Sequence, residues 1–181
     1  VLFVCLYAIT FQAQAASTSD AKEPISTDRS CSLTVSYCAD GVAFSELPVK
    51  LYKIADVSAD YQYTLTPTYE SSNLILNGIR TQGEWNVIRT TLEAHVIANA
   101  IVADFNTVTD ADGKAYFDEL KPGLYLTAVE SIIQDETTYI FDSSLIALPA
   151  LSAEGLWQYH VDVAAKSEII PPAEGDDEIE L

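Results

Sequence analysis

From Cys31 onward the chain is written in short runs where apolar and polar residues alternate, each run closed by turn-forming residues. The runs are 32-SLTVSY-37, 49-VKLYKIA-55, 61-YQYTLTPTY-69, 114-KAYFDEL-120, 124-LYLTAVE-130, 138-TYIFDSS-144 and 157-WQYHVDVAA-165. A period of two sends successive side chains to opposite faces of a strand, and Val, Tyr, Leu and Thr suit a half-buried sheet. Asp40-Gly41, Asp112-Gly113 and Pro122-Gly123 supply the turn chemistry between runs. Seven short strands at this spacing predict an all-β, antiparallel Ig-like sandwich. A length of 181 residues suits one domain, and 49% apolar residues suffice for a core.

One segment breaks the period. In 81-TQGEWNVIRTTLEAHVIANAIV-102, Thr81 and Glu84 have capping-box spacing, in which each side chain satisfies an orphan N–H at a helix start. Trp85, Ile88, Leu92, Val96 and Asn99 then recur at three and four residues. An amphipathic helix over about 82–100, inserted between strands and laid on the sandwich, is expected. His95 sits on or beside its apolar face.

The two ends read differently. Val1–Phe11 is a continuous apolar run, and Gln12-Ala13-Gln14-Ala15-Ala16 follows it. That is the h-region and A-x-A exit of a signal peptide, 1–15, cleaved after Ala15. It is shorter than the roughly 20 apolar residues that a bilayer span needs. The chain has no methionine, and no basic segment precedes the run, so a truncated or non-standard start is expected. Residues 16–30 are polar and read as a flexible lead-in, and 167–181 (SEIIPPAEGDDEIEL) as an acidic, proline-containing linker or tail.

Outside the signal segment stand Cys31 and Cys38. An exported protein favours pairing them, yet SLTVSY between them reads as a strand. Seven strand steps cover about 23 Å, whereas a disulfide holds Cα atoms within about 7 Å. The strand is preferred, and no disulfide is expected.

Nine basic residues against 27 acidic give a net charge of −18. That excludes nucleic-acid binding, which needs cations to displace counterions from phosphate. It equally disfavours an anionic membrane face, so the mature domain is not expected to insert in a membrane. Two histidines and two distant cysteines offer no metal set, and no cofactor is expected. The stretch 110-DADGK-114 puts Gly113 fourth from Asp110, whereas a calcium loop of the EF-hand type needs it sixth. A hairpin turn is the preferred reading. No nucleophile elbow or phosphate loop is present, and scattered carboxylates on an acidic surface do not define a catalytic pair. An enzyme is not expected.

Together, 33-LTV-35, Asp40-Gly41, 51-LYKIADV-57 and 108-VTDADGKAYFDELKPGLYL-126 resemble the Cna-B-like, or SpaA-like, pilin and adhesin module of Gram-positive surface proteins. The last stretch resembles the family signature T-D-x-x-G-x-x-x-F-x-x-L-x-x-G-x-Y at Thr109, Asp110, Gly113, Phe117, Leu120, Gly123 and Tyr125. The resemblance covers residues 31–166 and implies a hairpin followed by a second tight turn, with Phe117, Leu120 and Tyr125 in the core. It implies a secreted, cell-wall-associated structural module of a pilus or adhesin, partnered by other subunits and a sortase. The family often carries an internal lysine–asparagine isopeptide bond assisted by an acid. Here the corresponding positions fall on Ser36, Val129 and Ala164-Ala165, so none is expected unless Lys50 or Lys53 supplies one.

Trp157, Val161, Val163 and Lys166 resemble the W-x-x-x-V-x-V-Y-P-K pilin motif, with Ala164-Ala165 in place of Tyr-Pro. In such pilins the lysine amine accepts the neighbouring subunit from a sortase thioacyl intermediate, which makes Lys166 the cross-link candidate. The chain stops at Glu180-Leu181 without a sorting signal, and a fragment lacking later domains is expected. The alternative is an adhesive module for a host glycan or matrix protein, with Tyr61, Tyr63, Tyr69 and Tyr139 as its aromatic platform.

Overall fold

The structure, a computed structural model, describes residues 23–172. The signal peptide, residues 16–22 of the lead-in and residues 173–181 of the tail lie outside the described residues.

Two sheets face each other. The front sheet has strand order β14-β1-β7, from His160–Ala164, Cys31–Ser36 and Lys114–Leu120. The central sheet has order β11-β8-β4-β5, from Ser144–Leu148, Gly123–Val129, Pro48–Val57 and Tyr63–Leu65. Strand β6 (Phe105–Val108) also pairs with β4, at its first half. Pairings are antiparallel throughout except one: β1 runs parallel to β14, with Val35 opposite Val163 and Ser36 opposite Ala164.

Between the sheets lies a core that includes Leu33, Val35, Leu51, Phe117, Leu120, Tyr125 and Val161. The helix α1 (Gln82–Ala98) covers the opposite face of the central sheet. Trp85, Ile88, Leu92 and Val96 pack there against Tyr52, Ile54, Leu124 and Leu126. Their burial contributes on the order of 6–12 kcal/mol before side-chain entropy is subtracted. The central sheet is therefore buried on both faces, which is why LYKIA and GLYLTA are nearly continuous apolar runs. A bulge in β4 between Lys53 and Ala55 turns Ala55 and Val57 to the helix side, whereas Val49 and Leu51 face the front sheet.

The capping box forms as the spacing predicts: Thr81 Oγ1 accepts from the Glu84 N–H at 3.2 Å, and Glu84 Oε2 accepts from the Thr81 N–H at 2.9 Å. The helix stops at Ala98. Asn99 is not part of the apolar face; it is the C-cap, and its side-chain amide donates to His95 O.

Four expectations are corrected. Both turns of the 109–125 segment carry the chain between sheets rather than closing a hairpin, since β6 and β8 pair in the central sheet while β7 pairs in the front one. The hairpin sits elsewhere: β2 (Cys38–Ala39) pairs with β3 (Val42–Ala43) across Asp40-Gly41, both residues at positive φ. The run 61–69 is a strand only at Tyr63–Leu65, because Pro67 starts a 3-10 turn over Pro67–Ser72. The lead-in is not loose throughout: Ile25 is buried in the helix-side core, and its N–H donates to Ala59 O. The tail begins as structure, since β15 (Ser167–Ile170) pairs with β10 (Thr137–Phe141), which also pairs with β9 (Ile132–Gln134).

Cys31 opens β1, Cys38 opens β2 beyond its far end, and the two are not joined in a disulfide. Burial pushes the Cys31 thiol up to about 11, against the opposing pull of nearby Arg29. Such a thiol stays protonated and unreactive.

Candidate functional site

The 109–125 segment resolves into positions that each hold backbone in place. Thr109 is buried; its hydroxyl accepts from the Leu47 N–H at 2.9 Å and donates to Phe44 O at 2.5 Å. Asp110 Oδ1 accepts from the N–H groups of Asp112 and Lys114, both at 2.9 Å, and Oδ2 accepts from the Tyr116 hydroxyl at 3.0 Å. The Lys114 N–H is the main cause that holds this carboxyl below the usual aspartate range. These are the bonds of a tight turn. Its carboxylate oxygens accept from the chain itself.

Gly113 has φ +73°, and a Cβ there would lie 2.5 Å from Tyr37 O. A Cβ on Gly123 would lie 2.4 Å from Ala55 O. Phe117, Leu120 and Tyr125 are core residues, and the Tyr125 hydroxyl donates to Lys121 O at 2.6 Å.

The pilin-like motif occupies the edge of the front sheet. Val161 and Val163 point into the inter-sheet core, while His160 and Asp162 face solvent. Trp157, on β13 (Trp157–Gln158) paired with β12 (Ala150–Leu151), stacks on Tyr61 at 5.4 Å between ring centroids. Its indole N–H donates to Glu23 O at 2.7 Å, and the Ser26 N–H donates to the Tyr159 hydroxyl at 2.7 Å. The lead-in is thus strapped over the start of the motif. Neither bond has a signal in the sequence, because a polar stretch says nothing of where it docks.

Lys166 stands where the chain leaves the front sheet at β14 and enters the ribbon at β15. Its side chain is exposed. The backbone on either side is fastened: the Ala165 N–H donates to Ser36 O, and the Asp142 N–H donates to Lys166 O, both at 2.9 Å. The lysine was expected at the end of the final strand before a flexible linker; it lies instead at a junction between two strands.

Ser36 faces Ala164 in register, so β1 and β14 do bring those two positions together, as serine and alanine. Val129 lies on β8 against the inter-sheet core. Lys50 is directly opposite Asn106, and its ammonium meets Glu130 at 3.2 Å. A lysine and an acid therefore meet, with an asparagine at the register position opposite the lysine. Amide formation needs a desolvated, uncharged amine, and here the Lys50 and Glu130 side chains are 42% and 89% exposed. Lys53 is ion-paired with Asp56.

Beside the motif runs a groove of about 620 Å³, lined by Arg29, residues 151–154, Trp157 to His160, and Asp162. Arg29 lies 4.1 Å over the Tyr159 ring. His160 Nδ1 is 2.5 Å from Ser32 Oγ, and its Nε2 is 3.5 Å from Asp162 Oδ1. This exposed polar row crosses from β1 to β14 on the solvent face. The four tyrosines considered as a platform are divided instead. Tyr63 and Tyr69 are buried in the helix-side core, Tyr61 is packed between Trp157 and Tyr63, and Tyr139 leans on Phe44 at the inter-sheet core. Among the described residues no group of three potential ligands is placed to hold a metal, and no helix is long and apolar enough to cross a membrane.

No family model matches the sequence, and no curated protein matches it. Solved structures do. The fold is similar to the fimbrial protein FimP from Actinomyces oris, with TM-score 0.49 and 19% identity over 80% of this chain and 31% of that one. It is similar to the full-length major pilin SpaD from Corynebacterium diphtheriae, with TM-score 0.46 and 19% identity over 79% and 31%. The T6 backbone pilin of serotype M6 Streptococcus pyogenes gives TM-score 0.48 and 15% identity over 79% and 29%. The chain spans 31% of the length of FimP and of SpaD. At these identities and scores the likeness is one of shape, and it carries no partner or activity across.

Proposed function

We propose that this domain is a secreted, non-enzymatic structural module of a Gram-positive cell-surface pilus or adhesin, and that Lys166 is where a sortase joins it to a neighbouring subunit. The observation that carries the reading is the placement of Lys166. Its side chain is in solvent, while the backbone bonds of Ala165 and Lys166 tie its base to Ser36 and Asp142. An acceptor amine must reach a thioacyl carbon held in another protein, form the amide, and release the thiol. A lysine on a fixed base, with no carboxylate in salt-bridge range among the described residues, suits that task. Export is supported by the apolar run and A-x-A exit at the N-terminus.

The test is an immunoblot of boiled cell-wall extract, comparing wild type with Lys166→Ala. The expected result is a high-mass ladder that collapses to a single band in the variant. A ladder that survives the substitution refutes Lys166 as the acceptor. A single band in both removes the cross-linked module, and the adhesive reading then leads, because the groove along Trp157–His160 offers a concave surface next to the motif.

A further inference from the structure

Asn77 is the one asparagine of the chain that glycine follows, and its side chain does the work of a strand. Strand β5 ends the central sheet on one side, and at Tyr63 its main-chain groups are taken by a side chain. The Tyr63 N–H donates to Asn77 Oδ1 at 2.8 Å, and Asn77 Nδ2 donates to Tyr63 O at 2.9 Å. A single carboxamide thus covers a donor and an acceptor that a sheet edge would otherwise leave unpaired. The Tyr63 ring is buried, edge-on to Trp85 and beside Tyr61, which stacks on Trp157.

The same amide adjoins a free nitrogen. Gly78 is exposed, has open space where a Cβ would be, and its N–H finds no hydrogen-bond partner among the described residues. Asp112-Gly113 lacks that freedom: the Gly113 N–H donates to Asp110 O at 3.0 Å, and Tyr37 O crowds its α-carbon.

We propose that Asn77-Gly78 is a self-modification site, held latent by the clamp of the Asn77 amide on Tyr63. Gly78 N, on losing its proton, attacks Asn77 Cγ. The new C–N bond closes a succinimide ring, the Cγ–Nδ2 bond breaks, and the amide nitrogen takes up a proton and leaves as ammonia. Water then adds to one imide carbonyl and opens the ring to aspartate or isoaspartate. No electrons are exchanged, and water is the only reactant consumed. Ring closure needs the side chain to fold back onto its own main chain, whereas the two bonds to Tyr63 hold it forward on a strand edge. The chemistry therefore waits on a local opening of that edge. It also runs one way. Ionised aspartate has acceptor oxygens and no donor, so nothing at position 77 can then serve Tyr63 O. Isoaspartate further lengthens the main chain and shifts the side chain off its mark. The site stands apart from Lys166 and does not depend on it.

Peptide mapping of the full chain by mass spectrometry, after incubation in mildly alkaline buffer, tests this. Aspartate and isoaspartate at position 77 should accumulate about tenfold to a hundredfold more slowly in the native chain than in guanidinium chloride, a margin set by the two hydrogen bonds. Hydrogen exchange separates the clamp from general protection by the fold. The Tyr63 N–H has no acceptor but Asn77 among the described residues, so Asn77→Ala should quicken its exchange about tenfold or more. Asn77→Asp, the product made by synthesis, should unfold about 3–6 °C below wild type. Equal rates of modification in the native and unfolded chain overturn the latency. An Asn77 that survives intact in denaturant overturns the site. Exchange at Tyr63 that ignores Asn77→Ala, or a Tm that ignores Asn77→Asp, overturns the clamp.

Discussion

The central sheet is packed on two faces by two different means. Toward the front sheet lies an apolar core whose connecting turns are held through the backbone: a Cβ on Gly113 or Gly123 would strike a carbonyl oxygen of a neighbouring segment, and the hydroxyls of Thr109 and Tyr125 bond main-chain groups. Toward the helix, closure is a matter of apolar volume supplied by Trp85, Ile88, Leu92 and Val96. The helix side holds the two buried polar side-chain atoms that find no partner among the described residues, Tyr69 Oη and Trp85 Nε1. The lesson is that the first face admits few residue types at its fixed places, while the second tolerates any good fill. The same contrast explains why one is readable as a spaced motif and the other only as a periodicity.

The largest effect should come from the crowded turn. Gly113→Ala meets Tyr37 O and also holds an L-residue at φ +73°. Gly41 has nearly the same φ, +78°, with nothing within 4 Å of its would-be Cβ. Gly41→Ala should therefore cost only the left-handed strain, about 1–2 kcal/mol, and Gly113→Ala about 3–5 kcal/mol once overpacking is added. Urea denaturation of the two variants gives the difference directly. Equal losses would break the claim that close backbone approach, rather than dihedral alone, fixes the glycine of this turn.

A second pair of substitutions compares the two faces with the same chemical change. Tyr125→Phe removes a hydroxyl bonded to Lys121 O, leaving that carbonyl short of a donor, and should cost about 1 kcal/mol. Tyr69→Phe removes a buried hydroxyl with no partner among the described residues and should be neutral or stabilise by up to about 1 kcal/mol. Both are measurable by thermal and urea unfolding. If Tyr69→Phe destabilises as much as Tyr125→Phe, the helix side is as specifically satisfied as the other, and the contrast fails.

Much of this was legible in the sequence for a physical reason. Alternation marks strands with one wet face, so β1, β7 and β14 stood out; the capping box and four apolar positions marked α1. Strand β11, Ser144–Leu148, was missed because burial makes 145-LIAL-148 continuous rather than alternating. The strand at Ser167–Ile170 was hidden by the acidic, Pro-Pro tail that follows it, since an exposed edge strand takes its order from its partner and not from burial. Turn chemistry located Asp112-Gly113 and Pro122-Gly123, yet no local signal says whether the next strand pairs with the last or crosses to another sheet. For the candidate site, spacing alone could place Lys166 after a strand. The second strand beyond it depends on pairing with Thr137–Phe141, and the strap of residues 23–26 over Trp157 and Tyr159 on contacts more than a hundred residues apart.

The smallest expected effect has the opposite sign and lies at the end of α1. Ala100 holds φ +48° just past the C-cap. Its N–H donates to Ile97 O at 3.2 Å, and the Ile101 N–H reaches back to Val96 O at 3.0 Å, the paired bonds of a Schellman stop. A left-handed residue at that position is normally glycine, because a Cβ there crowds the following carbonyl. Ala100→Gly relieves that strain but makes the unfolded chain more flexible, which offsets part of the gain. The residue is exposed, so no packing is lost. A net stabilisation of about 0.5 kcal/mol is expected, read as a rise in Tm of roughly 1–2 °C. The crowded turn should lose stability when a glycine gains a methyl, and the helix end should gain when an alanine loses one. A fall in Tm on Ala100→Gly would mean that the helix end carries no left-handed strain, and that its stop is set by the packing of Ile101 instead.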